Sequence, residues 1–76
     1  MNHYTDAMIA TRSVLSDAEF DEVAKKLRDI DGVGQFTRSQ YVSRAIWVPY
    51  EAGKIRAQSI LNQITSLGFN ASLVGM

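Results

Sequence analysis

The chain contains no cysteine, and this absence excludes two ways of stabilising a small protein. Without thiols it forms neither disulfide bonds nor a thiolate metal centre. An excess of one charge is also lacking, because eight basic residues balance eight acidic ones, which disfavours nucleic-acid binding by bulk phosphate attraction. With one proline and 46% hydrophobic residues, the 76 residues predict a single globular domain, 1–76, held together by packing alone.

Long apolar runs are absent as well. No segment approaches the roughly 20 apolar residues that a membrane-spanning helix needs. Residues 1–6 carry neither the basic nor the apolar region of a secretory signal. We therefore expect no membrane insertion and a cytoplasmic location.

One helix is readable from its start to its stop. Ser16 and Glu19 have the spacing of a capping box, in which each side chain accepts a hydrogen bond from the other residue's backbone N–H. Gly32 is a natural stop after the helix. Apolar residues recur between these signals at three- and four-residue spacing, which places them on one face. They are Phe20, Val23, Ala24, Leu27 and Ile30.

The remaining periodicity predicts four strands and a second helix. Alternating side chains predict strands at 4–14, 33–37, 41–50 and 69–74, with a hairpin turn at 38–40. Gly34 is expected to permit a bulge or a close backbone approach. A helical stripe predicts the second helix at 56–67, with Gly68 as its stop. The order βαββαβ predicts an α+β ferredoxin-like sandwich, a four-stranded antiparallel sheet with two helices on one face.

The sheet face that the helices leave uncovered is the first candidate for function. If the β-branched residues of the third strand face the helices, the two-residue period sends Trp47 to the uncovered face. An exposed tryptophan near methionine and arginine is typical of a protein-interaction surface, although packing over small neighbours would satisfy the same pattern. The predicted surface consists of Met8, Ala10, Arg12, Ala45 and Trp47.

Particular residues along almost the whole chain resemble those of the heavy-metal-associated domain family. The pair Gly32-Val33 follows the first helix, and Leu67-Gly68-Phe69 follows the second, each at the place where this family has it. The family comprises domains of copper chaperones, mercury-binding proteins and metal-transporting ATPases. The resemblance therefore implies a ferredoxin-like fold and a docking surface for partner proteins at the metal-loop end.

The metal motif of that family is missing. The family binds soft metal ions through a Met-x-Cys-x-x-Cys loop at the start of the first helix, and counting back from Gly32 places this motif on Val14, Ser16 and Glu19. A hydroxyl and a carboxylate do not replace two thiolates for Cu(I) or Hg(II), because soft ions require polarisable sulfur. The resemblance thus implies a metal loop that has become a structural cap.

Other chemistry has little support in the sequence. His3 is the only histidine and no serine lies in a nucleophile elbow, so we predict no enzyme, no catalytic residue and no cofactor. We predict instead a non-catalytic protein-interaction or accessory module that binds a partner protein or a second copy of itself. The first alternative is a metal carrier or sensor with the atypical ligands His3, Met8 and Glu19. The second is single-stranded RNA binding by base stacking on the uncovered sheet face.

Overall fold

The computed structural model describes residues 4–40 and 42–74, which form two helices and a four-stranded sheet. In chain order the elements are β1 (Tyr4–Thr11), α1 (Asp17–Arg28), β2 (Thr37–Arg38), β3 (Ala45–Glu51), α2 (Ala57–Thr65) and β4 (Ala71–Val74). The strands pair antiparallel in the order β2-β3-β1-β4, so β1 and β3 are the central strands and β2 and β4 are the edge strands. This arrangement confirms the predicted α+β ferredoxin-like sandwich.

The core lies between the helices and one face of the sheet. Helix α1 contributes Val23 and Leu27, as its periodicity predicts, and α2 contributes its own buried stripe. Burial of each large side chain stabilises the fold by about 1.5–3 kcal/mol, which offsets the chain entropy of a domain without disulfides. The side chains that are almost fully buried are Ile9, Val23, Leu27, Val48, Ile60 and Ile64.

Several predicted boundaries are wrong at their ends. Strand β1 ends at Thr11 and not at 14, β4 begins at Ala71 and not at 69, and α2 spans Ala57–Thr65 and not 56–67. Helix α1 ends at Arg28, so Ile30, the last residue of the predicted apolar stripe, lies after the helix. Strand β3 begins at Ala45 and not at 41, because a turn precedes it in which the Ala45 N–H donates to the carbonyl of Val42. Strand β2 is reduced to Thr37–Arg38, so the first residue of the predicted hairpin turn belongs to the strand.

The shortening of β2 has a local cause at Gly34. Val33 forms an isolated bridge with Tyr50, whereas Thr37 pairs with Trp47, so one extra residue is accommodated on the β2 side. The Gly34 N–H donates to the Pro49 carbonyl at 2.7 Å, and a Cβ on Gly34 would lie 3.3 Å from that oxygen. The predicted bulge and close backbone approach at Gly34 are therefore confirmed.

Among the described residues, no helix is both long and apolar enough to cross a membrane.

The turn after α1 yields a stability prediction. Gly32 has a φ of +101°, and a Cβ there would lie 3.0 Å from the Lys54 Cβ; Gly68 has the same φ with no atom within 4 Å. Gly32→Ala should lower the free energy of unfolding by about 1–3 kcal/mol, because it adds crowding to backbone strain. Gly68→Ala should cost less, since only the strain applies. Urea denaturation of the three proteins measures the difference.

The matched control is Gly53→Ala, because Gly53 lies in the exposed loop after β3 without a positive φ and without neighbours for a Cβ. We expect its unfolding midpoint to stay close to that of the parent protein. Equal losses in Gly32→Ala and Gly53→Ala would contradict the strained turn.

Candidate interaction surface and former metal loop

The loop that precedes α1 is closed by a complete capping box. The Ser16 Oγ accepts a hydrogen bond from the Glu19 N–H at 3.2 Å, and the Glu19 Oε1 accepts one from the Ser16 N–H at 2.9 Å. Ser16 has an extended backbone, which is the conformation that an N-cap residue adopts. Both side chains at the positions that the resemblance assigns to cysteines therefore cap the N-terminus of α1.

A guanidinium group also occupies this end of the domain. Arg38 of β2 donates from Nη1 to the Leu15 carbonyl at 3.0 Å and contacts the Asp17 carboxylate at 3.4 Å. Its Cζ lies 4.6 Å from the centre of the Phe20 ring, which adds a cation–π contact. The positively charged guanidinium of Arg38 is hydrogen-bonded to carbonyl groups of the loop, and this charge opposes the binding of a metal cation there.

The position of the family's methionine faces solvent. Val14 is 54% exposed, whereas its neighbour Leu15 is buried in the core and anchors the loop. Of the three positions that the resemblance assigns to the metal motif, Val14 is exposed, whereas Ser16 and Glu19 form the two halves of the cap.

The structure does not bring the alternative metal ligands together. Met8 lies in the middle of β1 on the sheet face away from the helices, where it pairs with Trp47 and Val74. Glu19 lies in the first turn of α1, and its carboxylate is bonded to the cap. His3 lies outside the described residues. Within residues 4–40 and 42–74, no three histidine or acidic side chains cluster as a metal site.

The sheet face away from the helices, here called the open face, presents Trp47 at its centre. In register across the sheet, Thr37, Trp47, Met8 and Val74 form one row. Trp47 is 36% exposed, and its indole Nε1–H donates to the Asp6 Oδ2 at 2.9 Å. This hydrogen bond holds the ring in one orientation while its face remains accessible, which is the arrangement of an interface anchor.

The other predicted surface residues differ in exposure. Ala10 is half-buried and Arg12 is exposed. Ala45, however, is only 2% exposed, so its inclusion in the interaction surface is wrong. The Ala45 N–H donates to the Val42 carbonyl, and the Ala45 carbonyl accepts from the N–H of Ser39, which follows β2.

Sequence reasoning missed several residues of the open face. Asp6 and Tyr4 precede Met8 at the two-residue period, so extending the alternation along β1 would have found both. Tyr4 is 58% exposed and borders a shallow groove together with Asp6, Thr37, Pro49 and Trp47. Val74 is 42% exposed beside Met8, a proximity that only the pairing of β4 with β1 shows.

Two arginines border the opposite end of the open face. Arg12 and Arg44 line a depression with Ala10, Asn70 and Ser72. The Arg44 Nη1 donates to the Arg12 carbonyl at 3.3 Å, and the Arg12 N–H donates to the Asn70 carbonyl at 3.0 Å. Within the part of the chain that the structure describes, neither guanidinium forms an ion pair with a carboxylate.

Solved structures with the same fold are heavy-metal-associated domains. Oxidized MerP from Ralstonia metallidurans CH34 has a TM-score of 0.80 at 15% identity over 95% of this chain and 99% of that one. The yeast copper transporter domain Ccc2a has a TM-score of 0.77 at 23% identity, over 91% and 93% respectively. A chain in the Atx1–Cu(I)–Ccc2a complex has a TM-score of 0.76 at 23% identity, again over 91% and 93%.

No protein-family model and no curated protein sequence matches the chain. The chain thus has the fold of heavy-metal-associated domains, as its sequence predicted, and contains no cysteine.

The capping box yields the second prediction. Ser16→Ala should lower the free energy of unfolding by about 0.5–2 kcal/mol, because the Glu19 N–H loses its acceptor. Glu19→Gln should have a smaller effect, since glutamine also completes a capping box. Urea denaturation measures both. Ser13→Ala, which removes an exposed hydroxyl from the same loop, is the matched control, and a loss as large as that of Ser16→Ala would contradict the capping role.

Proposed function

We propose that this protein is a non-catalytic binding module with the heavy-metal-associated fold, which binds a protein partner through the open face and carries no soft metal ion. The observation that carries the proposal is the position of Trp47, which is exposed at the centre of an uncovered sheet face and oriented by Asp6. Tryptophan in a fixed orientation offers a large contact area at little entropy cost. Met8 and Val74 extend the same apolar surface across the sheet.

The side chains of the loop before α1 support a function that needs no bound metal. Soft ions require thiolates, and the two side chains at the cysteine positions are a hydroxyl and a carboxylate that cap α1. A cation that recruited Glu19 would have to break the hydrogen bond to Ser16. It would also meet the guanidinium of Arg38 at the same loop.

Partner binding is supported by one of the structural neighbours. The solved complex of Atx1, Cu(I) and Ccc2a contains a domain of this fold together with a second protein and a copper ion. We propose that the chain described here retains the capacity of this fold for protein binding without the ion. The interaction surface then lies on the open face and not at the former metal loop.

RNA binding is a second candidate function, which one observation favours. Tyr4 and Trp47 border the same groove, so the open face offers two aromatic rings for base stacking. The Asp6 carboxylate lies in the same groove and would repel a phosphate backbone. We therefore rank protein binding above RNA binding, and a salt-dependent shift with single-stranded oligonucleotides would reverse this order.

A metal titration monitored by NMR tests the proposed function. The isotope-labelled protein should show no site-specific shifts at Met8, Ser16 or Glu19 when one equivalent of Cu(I) or Zn(II) is added under chelator competition. The measurement covers the entire chain, so ligation by His3 would be seen as well. Stoichiometric shifts at these residues would overturn the proposal in favour of an atypical metal carrier.

A matched variant makes the negative result informative. The triple substitution Val14→Met, Ser16→Cys and Glu19→Cys rebuilds the missing motif in this chain. We expect this variant to retain Cu(I) against a chelator that strips the parent protein, because thiolates suit a soft ion. Its helix should also be less stable, since the capping box is lost. Failure of the variant to bind Cu(I) would show that Arg38 or the loop backbone, and not the side-chain chemistry, prevents binding.

A further inference from the structure

The open face carries a row of large side chains, here called the wide row, beside a row of small side chains, here called the narrow row. The wide row contains Trp47, Met8 and Val74, which lie in register on neighbouring strands. Two residues further along, the narrow row contains Ala45, Ala10 and Ser72, also in register. The rows are roughly 7 Å apart at about 3.4 Å per residue. Because Ala45 is buried within its own chain, the strip beside the ridge is open only at Ala10 and Ser72, on β1 and β4.

The two ends of the open face carry opposite charges. Asp6 lies two residues before Met8 in β1, and Arg12 lies two residues after Ala10. Asp6 forms a hydrogen bond with Trp47 but, among the described residues, no ion pair. Arg12 and Arg44 are also without a carboxylate partner there. The face thus has an acidic end and a basic end, each available to an outside group.

We infer that the partner of the open face is a second copy of this chain, packed face to face with its strands antiparallel. A two-fold axis in the interface, perpendicular to the strands and midway between the two rows, places Met8 over the Ala10 of the other copy and Val74 over Ser72. The same operation places Asp6 over Arg12, twice by symmetry. An axis parallel to the strands would instead stack like charges, so the charge pattern selects the antiparallel arrangement.

Net charge is compatible with this self-association. Eight acidic and eight basic residues leave each copy formally neutral, so two copies do not repel each other as a whole. Ala45 is already covered within its own chain, so the close contact of the two rows comes from β1 and β4. Trp47 lies over the start of the partner's β3.

The size of the open face limits the surface area that the dimer can bury. The four strands contain 8, 2, 7 and 4 residues. At about 4.8 Å between strands and about 3.4 Å per residue, the face measures roughly 340 Å² per copy, or about 690 Å² in total. This is less than the roughly 1,200 Å² at the lower end of stable interfaces, so the dimer is weak and in exchange with monomer. We expect a dissociation constant between about 10 μM and about 1 mM.

This inference deepens the proposed function by naming its partner, and it is tested by a dilution series. NMR spectra recorded from about 2 mM to about 10 μM, together with sedimentation velocity, report the monomer–dimer equilibrium without any metal. Concentration-dependent shifts should cluster on Met8, Ala10, Trp47 and Val74. Shifts confined to the helices or to the former metal loop, or a monomer at every concentration, would overturn the dimer. The metal titration is separate, so each proposal fails by its own result.

A charge-swap pair tests the antiparallel arrangement. Asp6→Lys places two like-charged contacts in its homodimer, and Arg12→Glu does the same with acidic groups. Each variant alone should dissociate at least about tenfold more readily than the parent protein. In a mixture of the two, both contacts of the mixed dimer again join opposite charges, so association should return to within about threefold of the parent value.

The mixed dimer also controls for damage to the individual variants. Asp6→Lys removes the acceptor of the Trp47 indole, but a loss caused by misfolding would not be rescued by a second variant. Arg56→Glu, which reverses an exposed arginine at the start of α2, should leave the equilibrium unchanged. Failure of the mixture to restore association, with both variants folded, would overturn the proposed orientation.

Discussion

Packing on one side of the sheet is the constraint on which the rest of this structure depends. Without cysteine, the domain is stabilised by two helices pressed against a single sheet face, where Leu27, Val48 and Ile60 are almost fully buried. Within residues 4–40 and 42–74, both helices pack on that one face, and Trp47 and Met8 lie at the centre of the opposite, open face.

The start of α1 shows how two roles compete for the same positions. The resemblance assigns Ser16 and Glu19 to the two positions at which heavy-metal-associated domains carry cysteines. Here Ser16 and Glu19 accept hydrogen bonds from each other's N–H groups, which satisfies two donors that the helix cannot satisfy itself. Arg38 then binds the loop carbonyl of Leu15. These contacts stabilise the start of α1 locally, at the end of the fold where the resemblance predicts a metal loop.

Sequence reasoning succeeded where a local rule determined the outcome. The capping box needs only residues three apart, and the apolar stripe of α1 follows from the helical period, so both were predicted correctly. It failed where a contact joined distant segments. The Trp47–Asp6 hydrogen bond joins residues 41 positions apart, and the burial of Ala45 is a tertiary property that the alternation of a strand does not show. The predicted β2 began too early, at 33, because the two-residue period of a strand does not show that the pairing with β3 is interrupted near Gly34.

The sequence by itself determined the number and order of the elements, the side of the sheet that carries the core and the absence of a thiolate centre. These follow from periodicity, from cap and stop residues and from composition, all of which act locally. Only the tertiary structure decided that Val74 lies beside Met8, that Arg38 contacts the former metal loop and that opposite charges occupy opposite ends of the open face. Such neighbours arise from strand pairing and long-range packing, whose register no single segment contains.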